Sequence, residues 1–270
     1  MRSSNTAAPG TRPRQVKRVP DTVVPCREVT LIVFCREPLA GHTKTRLIQR
    51  LGADHAAELA GAFILDALAK CRELAPRRIV IAGSSPDGAE NCPYLRRTAQ
   101  RFGAELIDQG GGSLGARMAR ALEPYRAEGA VLFGTDTPSL PPRLLGRSAA
   151  LLLRRAPVVI APSLDGGYYL VGVRGPMPEI FSGIAWGRSD VLSKTVARLR
   201  QSGTRYALGP SWYDVDRWSD VKLLVAHLIC LKLREHSGWE RGRVGRQPPS
   251  LPCPATARVL QRLGLLRAGG

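Results

Sequence analysis

Short apolar, β-branched runs alternate along this chain with segments whose apolar residues recur at helical spacing, and this restricts the fold more than any other feature. VTLIVFC (29–35) is a continuous apolar run, the pattern of a strand buried on both faces. Residues 54–72 follow with Leu59, Ala62, Phe63 and Ala67 on one helical face and Asp54 as the expected cap. RRIVIAG (77–83) and ELIDQ (105–109) read as strands, Leu114 to Tyr125 as a helix, and AVLFGTD (130–136) as a strand ending in a carboxylate. Residues 142–155 read as a helix, and VVIAPS (158–163) and YYLVGV (168–173) as strands. Two more helices are expected, one capped by Ser189 and running to Arg200, the other over 218–234. Strands and helices alternating over short connections predict an α/β fold, a mainly parallel twisted sheet with helices on both faces, in one domain over 29–230. Ligands of such sheets bind outside the carboxyl ends of the strands, where strand order reverses.

The balance of 44% hydrophobic and 23% charged residues in 270 excludes wholesale disorder, collagen and coiled coil. No uncharged apolar run approaches the length of a membrane span, and the start MRSSNTAAPG lacks the apolar stretch of a secretory signal, so a cytoplasmic protein is expected. The formal charge of +18 is uneven. Residues 1–28 hold six basic and two acidic residues, and residues 231–270 hold eight and two. Both ends are rich in Pro, Gly, Ser and Arg, as in RGRVGRQPPSLPCP (241–254). This predicts a disordered basic extension over 1–28 and a basic tail over 231–270 with a short helix at 255–266. Solvated tails are the expectation, with nucleic-acid or acidic-membrane contact as the alternative. Trp239 is the one aromatic residue in either end, a poor basis for base stacking. Six cysteines without a CxxC pair, and four histidines, predict reduced thiols with neither disulfide nor zinc site.

Five motifs stand at or beyond strand ends. In Phe34–Leu47, Pro38 and Gly41 force a loop bearing Arg36, Lys44 and Arg46, which suits a phosphate cradle or a solvated basic loop. It has neither the spacing of a Walker loop nor that of a dinucleotide fold. Gly110, Gly111 and Gly112 precede a helix that carries Arg117, which fits close approach to an anion or a flexible connector. Asp136 in G-T-D-T-P is placed for Mg²⁺ shared with phosphate oxygens, or for capping a turn. Asp165, before two glycines, suits a ligand-facing turn or a plain hairpin. Asp214 and Asp216 in W-Y-D-V-D share one face of an extended segment, unfavourably unless a metal or basic group relieves them, or else form a solvated acidic turn.

In combination these motifs resemble the nucleotide-diphospho-sugar transferase superfamily of the glycosyltransferase-A type, and within it the arsenosugar-biosynthesis-type glycosyltransferases. Its landmarks F-x-K-x-P-x-x-G-x-x-K-T-R-L, L-G-x-R-M, G-T-D-x-P, D-G-G-Y-Y-L-x-G and D-V-D-T are matched in order by Phe34–Leu47, Leu114–Met118, Gly134–Pro138, Asp165–Gly172 and Asp214–Asp216. The resemblance implies a Rossmann-like nucleotide-diphospho-sugar transferase fold and an enzyme that takes a nucleotide-sugar donor and a small-molecule acceptor. It also implies Arg36, Pro38, Gly41, Lys44, Arg46, Gly111, Gly112 and Arg117 around the nucleotide phosphates. Asp136 and Asp214 would hold Mg²⁺ or Mn²⁺, and Asp165 and Asp216 would be catalytic.

Three departures mark this chain. The usual Lys after the first strand is Arg36, a W-S-T element is Trp186-Gly187-Arg188, and the Thr after D-V-D is Arg217. Two rival readings stand beside glycosyl transfer. One is nucleotidyl transfer with pyrophosphate release, since 2-phospho-lactate guanylyltransferases share a K-T-R-L loop like this one. The other is a binding protein that has lost catalysis.

Overall fold

The computed structural model describes residues 26–236 and 251–266. Residues 1–25 and 237–250, which hold most of the basic extension and Trp239, lie outside the described residues.

Seven strands form one sheet: β1 (Thr30–Arg36), β2 (Arg78–Ser84), β3 (Glu105–Asp108), β4 (Ala130–Gly134), β5 (Val158–Pro162), β6 (Tyr168–Val173) and β7 (Tyr206–Leu208). Their spatial order is β3-β2-β1-β4-β6-β5-β7. All neighbouring pairs are parallel except those of β6, which runs against both β4 and β5. The helices are α1 (Thr45–Leu51), α2 (Ala53–Leu74), α3 (Pro93–Phe102), α4 (Leu114–Leu122), α5 (Pro142–Arg154), α6 (Val191–Gln201), α7 (Trp218–His236) and α8 (Pro254–Arg262).

Alternation along β1 assigns its two faces. Leu31, Val33 and Cys35 pack with Ile64 and Leu68 of α2, Leu95 of α3 and Leu145 of α5. Ile32 faces the other way, with Met118 and Leu122 of α4 and Leu199 of α6. Helices thus cover both faces, which is why the inner strands read as unbroken apolar runs. The six cysteines are free thiols, five of them buried. Among the described residues no helix is long and apolar enough to cross a membrane.

Several boundaries differ from the sequence reading. Gly52, not Asp54, is the N-cap of α2, and Asp54 falls in the first turn. Asp190, not Ser189, precedes α6. The sequence reading omits α1, α3 and β7: α1 and β7 are too short to show a period, but Leu95, Ala99 and Phe102 of α3 do recur at helical spacing.

The domain does not stop at residue 230. Helix α7 continues to His236, and α8 packs on α2. Ala255, Val259, Leu260 and Leu266 join a third cluster with Leu59, Phe63 and Leu224. Proline and arginine dominate 241–254 and mask the apolar spacing that follows them.

Two features of the topology fix where a ligand can bind. The chain leaves β1 to one side for β2 and β3, then returns to its other side for β4. The ends of β1 and β4 therefore flank the switch point. Because β6 is antiparallel, the turn joining it to β5 comes out at this same edge.

Candidate active site

Beyond Arg36 the chain makes an exposed loop that contains Pro38 and Gly41, closed where Thr43 Oγ1 donates to Glu37 O at 2.7 Å. Lys44 then adopts left-handed backbone angles, φ 49° and ψ 41°, uncommon for a residue with a side chain. Its ammonium meets Asp136 Oδ1 at 2.7 Å, Asp216 Oδ1 at 2.8 Å and Val215 O at 2.7 Å. Burial alone would lower its pKa, but the two carboxylates reverse this and raise it. An ammonium has three protons, and all three have acceptors here. As placed, Lys44 braces two carboxylates and keeps no donor for the phosphate that the sequence reading gave it. Arg46 is exposed and only loosely paired, with Nη1 4.0 Å from Asp216 Oδ2.

The W-Y-D-V-D segment lies along the same edge, with Trp212 N donating to Pro162 O and Val215 N donating to Asp136 O at 2.8 Å. It separates its two carboxylates. Asp216 goes to Lys44; burial raises its pKa, but the charge and hydrogen bond of Lys44, with the charges of Arg46 and Arg217, together hold it below the usual range. Asp214 lines a cavity of about 300 Å³ together with Asp136 and Asp165. Burial, and then the charges of Asp165, Asp216 and Asp136, push the Asp214 carboxyl up to about 6.

Asp165 fills both roles the sequence left open. Its Oδ1 accepts from Gly167 N at 2.9 Å and from Ser163 Oγ, closing the hairpin, while the residue lines the cavity. The turn requires glycine at 166, where φ is +88° and a Cβ would collide with Ser189 O. Gly166→Ala is expected to cost about 2 kcal/mol, read as a fall of roughly 4–8 °C in Tm. An unchanged Tm would mean that this turn yields freely.

The opposite sign of charge gathers at the end of β1. Gln109, buried just before the three glycines, donates to Cys35 O and Ala82 O and accepts from Arg117 Nη1 at 3.0 Å. It thereby aims Arg117, whose guanidinium lies 5.9 Å from the ring centroid of Phe34, a cavity residue. Burial, and then the nearby charge of Arg36, lower the Arg117 pKa. Among the described residues neither arginine has an acidic partner, and Arg117 Nε is buried without a hydrogen bond. Gly111 and Gly112 are exposed beside them, and Ser113 caps α4 through Ala116 N. The sequence reading missed Gln109. A polar residue at a strand end, next to a glycine run, was the available signal.

Among the described residues no three His, Cys, Asp or Glu side chains stand close enough to hold a metal ion alone. Asp136 is nevertheless half-exposed, with only Oδ1 engaged by Lys44, and it shares the cavity with Asp214. That donor set fits Mg²⁺ or Mn²⁺ held by one or two carboxylates together with ligand oxygens.

A solved protein from Desulfovibrio desulfuricans G20, provisionally named a nucleotide-diphospho-sugar transferase, overlays this chain with a TM-score of 0.69 at 27% identity, covering 89% of this chain and 97% of that one. The fold is that of the nucleotide-diphospho-sugar transferases. Residues 65–188, which contain the G-T-D-T-P and D-G-G-Y-Y-L elements, match a family described as "Uncharacterized protein conserved in bacteria (DUF2064)". Two further overlays are looser. One is the inositol-1-phosphate CTP transferase of T. maritima, with a TM-score of 0.47 at 15% identity over 72% of this chain and 91% of that one. The other is the glucosyl-3-phosphoglycerate synthase of Mycobacterium tuberculosis, solved with Mn²⁺, uridine diphosphate and glucosyl-3-phosphoglycerate, at 0.45 and 10% over 78% and 80%. No curated protein matches the chain by sequence.

Proposed function

We propose that the protein is a metal-dependent transferase that uses a nucleotide sugar to glycosylate a small-molecule acceptor. The observation that carries this reading is the arginine pair at the switch point. Arg36 and Arg117 repel each other, lack an acidic partner among the described residues, and adjoin exposed glycines and the N-terminus of α4. Two forked cations beside a helix N-terminus suit a diphosphate, which would relieve their repulsion and fill the orphaned Arg117 Nε. Arg46 stands exposed at the same edge for a further phosphate contact.

Asp136, assisted by Asp214, would hold Mg²⁺ or Mn²⁺, and the bound ion would supply Lewis-acid stabilisation of the leaving diphosphate. Lys44 orients Asp136 and Asp216 from behind. Asp216 serves this brace, so the acceptor-facing role falls to Asp165, which the hairpin holds rigidly in the cavity wall. The finer likeness to arsenosugar-biosynthesis-type glycosyltransferases rests on the five sequence landmarks.

The test pairs binding with turnover. Arg36→Ala and Arg117→Ala are each expected to weaken nucleoside diphosphate binding by about 1.5–3 kcal/mol, the scale of a charge-assisted hydrogen bond. Calorimetry on the folded variants reads this, and unchanged affinity in both removes the pair from the site. Incubation with Mn²⁺ and a panel of nucleotide sugars should release nucleoside diphosphate. Pyrophosphate released from triphosphates plus sugar phosphates would make the protein a nucleotidyltransferase instead.

A further inference from the structure

The wall of the cavity contributed by α4, β6 and the segment before α6 has a chemistry that diphosphate binding does not use. Apolar side chains dominate it, among them Leu114, Met118 and Val171. Tyr168 and Trp186 meet edge to face, with ring centroids 6.1 Å apart and planes at 81°. Gly115 makes room for the indole, since a Cβ there would lie 2.7 Å from Trp186 Cζ2 and 2.6 Å from Phe181 O. The indole is therefore held against α4, and its Nε1–H is buried without an acceptor. A buried donor left unpaired costs free energy comparable to a lost hydrogen bond, so a ligand atom that accepts from it gains correspondingly.

Among the described residues one cation lines this cavity, Arg188. Its nearest carboxylate is Asp190, with Arg188 Nε 3.8 Å from Oδ1, and Asp190 already holds Lys194 at 2.8 Å. Lys194 takes Asp190 Oδ2, and at 3.8 Å from Oδ1 Arg188 is too far for a hydrogen bond, so its guanidinium keeps its donors for a ligand. Asp136, Asp165 and Asp214 line the same space and would repel an anion placed near them. A ligand filling the cavity therefore meets negative charge at one part of the wall, a single positive charge at another, and an aromatic and aliphatic surface between. At about 300 Å³ the space is at the small end for ligand pockets, enough for one ring and a substituent.

We propose that this cavity is the acceptor site and that the acceptor is a small organic anion: a ring or short hydrocarbon body bearing one carboxylate or phosphate. Arg188 holds the anionic group, Tyr168 and Trp186 pack the body, and Trp186 Nε1 donates to an oxygen on it. Arg188 is the residue that sets this specificity. The assignment rests on the donor reading above only in calling the ligand an acceptor; the binding chemistry follows from the cavity itself.

Phenyl phosphate and benzoate serve as probes, benzyl alcohol as the neutral counterpart and inorganic phosphate as the bodiless one. In calorimetry the full-length protein should bind the two aromatic anions at least 10-fold more tightly than either control. The indole N–H resonance absent from spectra of Trp186→Phe should shift on binding. Arg188→Gln should lose about 10-fold or more in affinity for the aromatic anions, and Arg188→Lys should keep most of it. Nucleoside diphosphate affinity should be the same in all three proteins. Equal binding of benzyl alcohol, an unmoved Trp186 resonance, or no binding of either anion overturns the proposal. So does a parallel loss of nucleoside diphosphate affinity in Arg188→Gln, which would place Arg188 on the donor phosphates. If nucleoside diphosphates fail to bind the unmodified protein while the aromatic anions still depend on Arg188, the donor reading falls and the anion site stands.

Discussion

Asp136→Asn is expected to abolish the gain in nucleotide affinity on adding Mn²⁺ or Mg²⁺, and to lower turnover by on the order of 100-fold. Strand β4 ends at Gly134, and Pro138 removes a backbone donor just beyond, so the carboxylate stands at the open edge of the switch point. One oxygen is committed to Lys44 at 2.7 Å. The side chain as a whole is 46% exposed, leaving the second oxygen available to an ion shared with diphosphate oxygens. Asparagine keeps the shape and one acceptor oxygen but has no charge to offer a hard cation. Lys44 would retain Asp216 and Val215 O, so the fold should lose only about 1–2 kcal/mol. The loss of function should therefore far exceed the loss of stability. Nucleotide titrations with Mn²⁺ and with chelator, beside a denaturant unfolding curve, separate the two. A variant with the wild-type response to metal would make Asp136 simply the counter-ion of Lys44.

How much of this was legible in the sequence follows from the range of the interactions. The inner strands announce themselves because burial on both faces demands an unbroken apolar run, as in Leu31–Val33 and Ala130–Phe133. Asp136 and Asp165 stand out as candidates because each lies just past such a run, and Gly110–Gly112 because they follow the short strand at 105–108. The destination of Lys44 was not legible. A left-handed residue turns it inward, and one of its partners, Asp216, lies 172 positions away. Nor does alternation along W-Y-D-V-D reveal that Asp214 and Asp216 part company, because Lys44 decides it. Trp186 and Arg188 stand in a segment without periodicity, where only the cavity shows what they face. Helix α8 was half-seen: its apolar spacing was noted, but its attachment depends on a carboxylate 189 residues earlier.

That carboxylate is Asp66, and Asp66→Ala is expected to destabilise the protein by about 3 kcal/mol. Asp66 is 1% exposed in the middle of α2. It accepts from Ala255 N and Thr256 N at 2.8 Å each and from Thr256 Oγ1 at 2.6 Å. Helix α8 has no side-chain cap of its own, so its first amides are satisfied by another helix. One turn along α2, the buried Lys70 donates to Pro138 O at 2.7 Å, just past the Asp136 turn. Burial pushes the Asp66 carboxyl up, only partly offset by Thr256 and by the charge of Lys70. Alanine removes that desolvation cost, which keeps the expected loss at the low end of the 3–5 kcal/mol range typical of breaking a buried charged pair. It also leaves two amides and a hydroxyl without an acceptor, and leaves Lys70 only the weaker influence of Glu73 in place of its main carboxylate neighbour. Asp66→Asn should lose less, since one acceptor oxygen survives, and Thr256→Val should cost only about 1 kcal/mol. Denaturant midpoints rank the three variants, and amide exchange at Ala255 and Thr256 should quicken most in Asp66→Ala. A loss under about 1 kcal/mol in Asp66→Ala would mean that the apolar contacts of Leu260 and Val259 hold α8 without its cap.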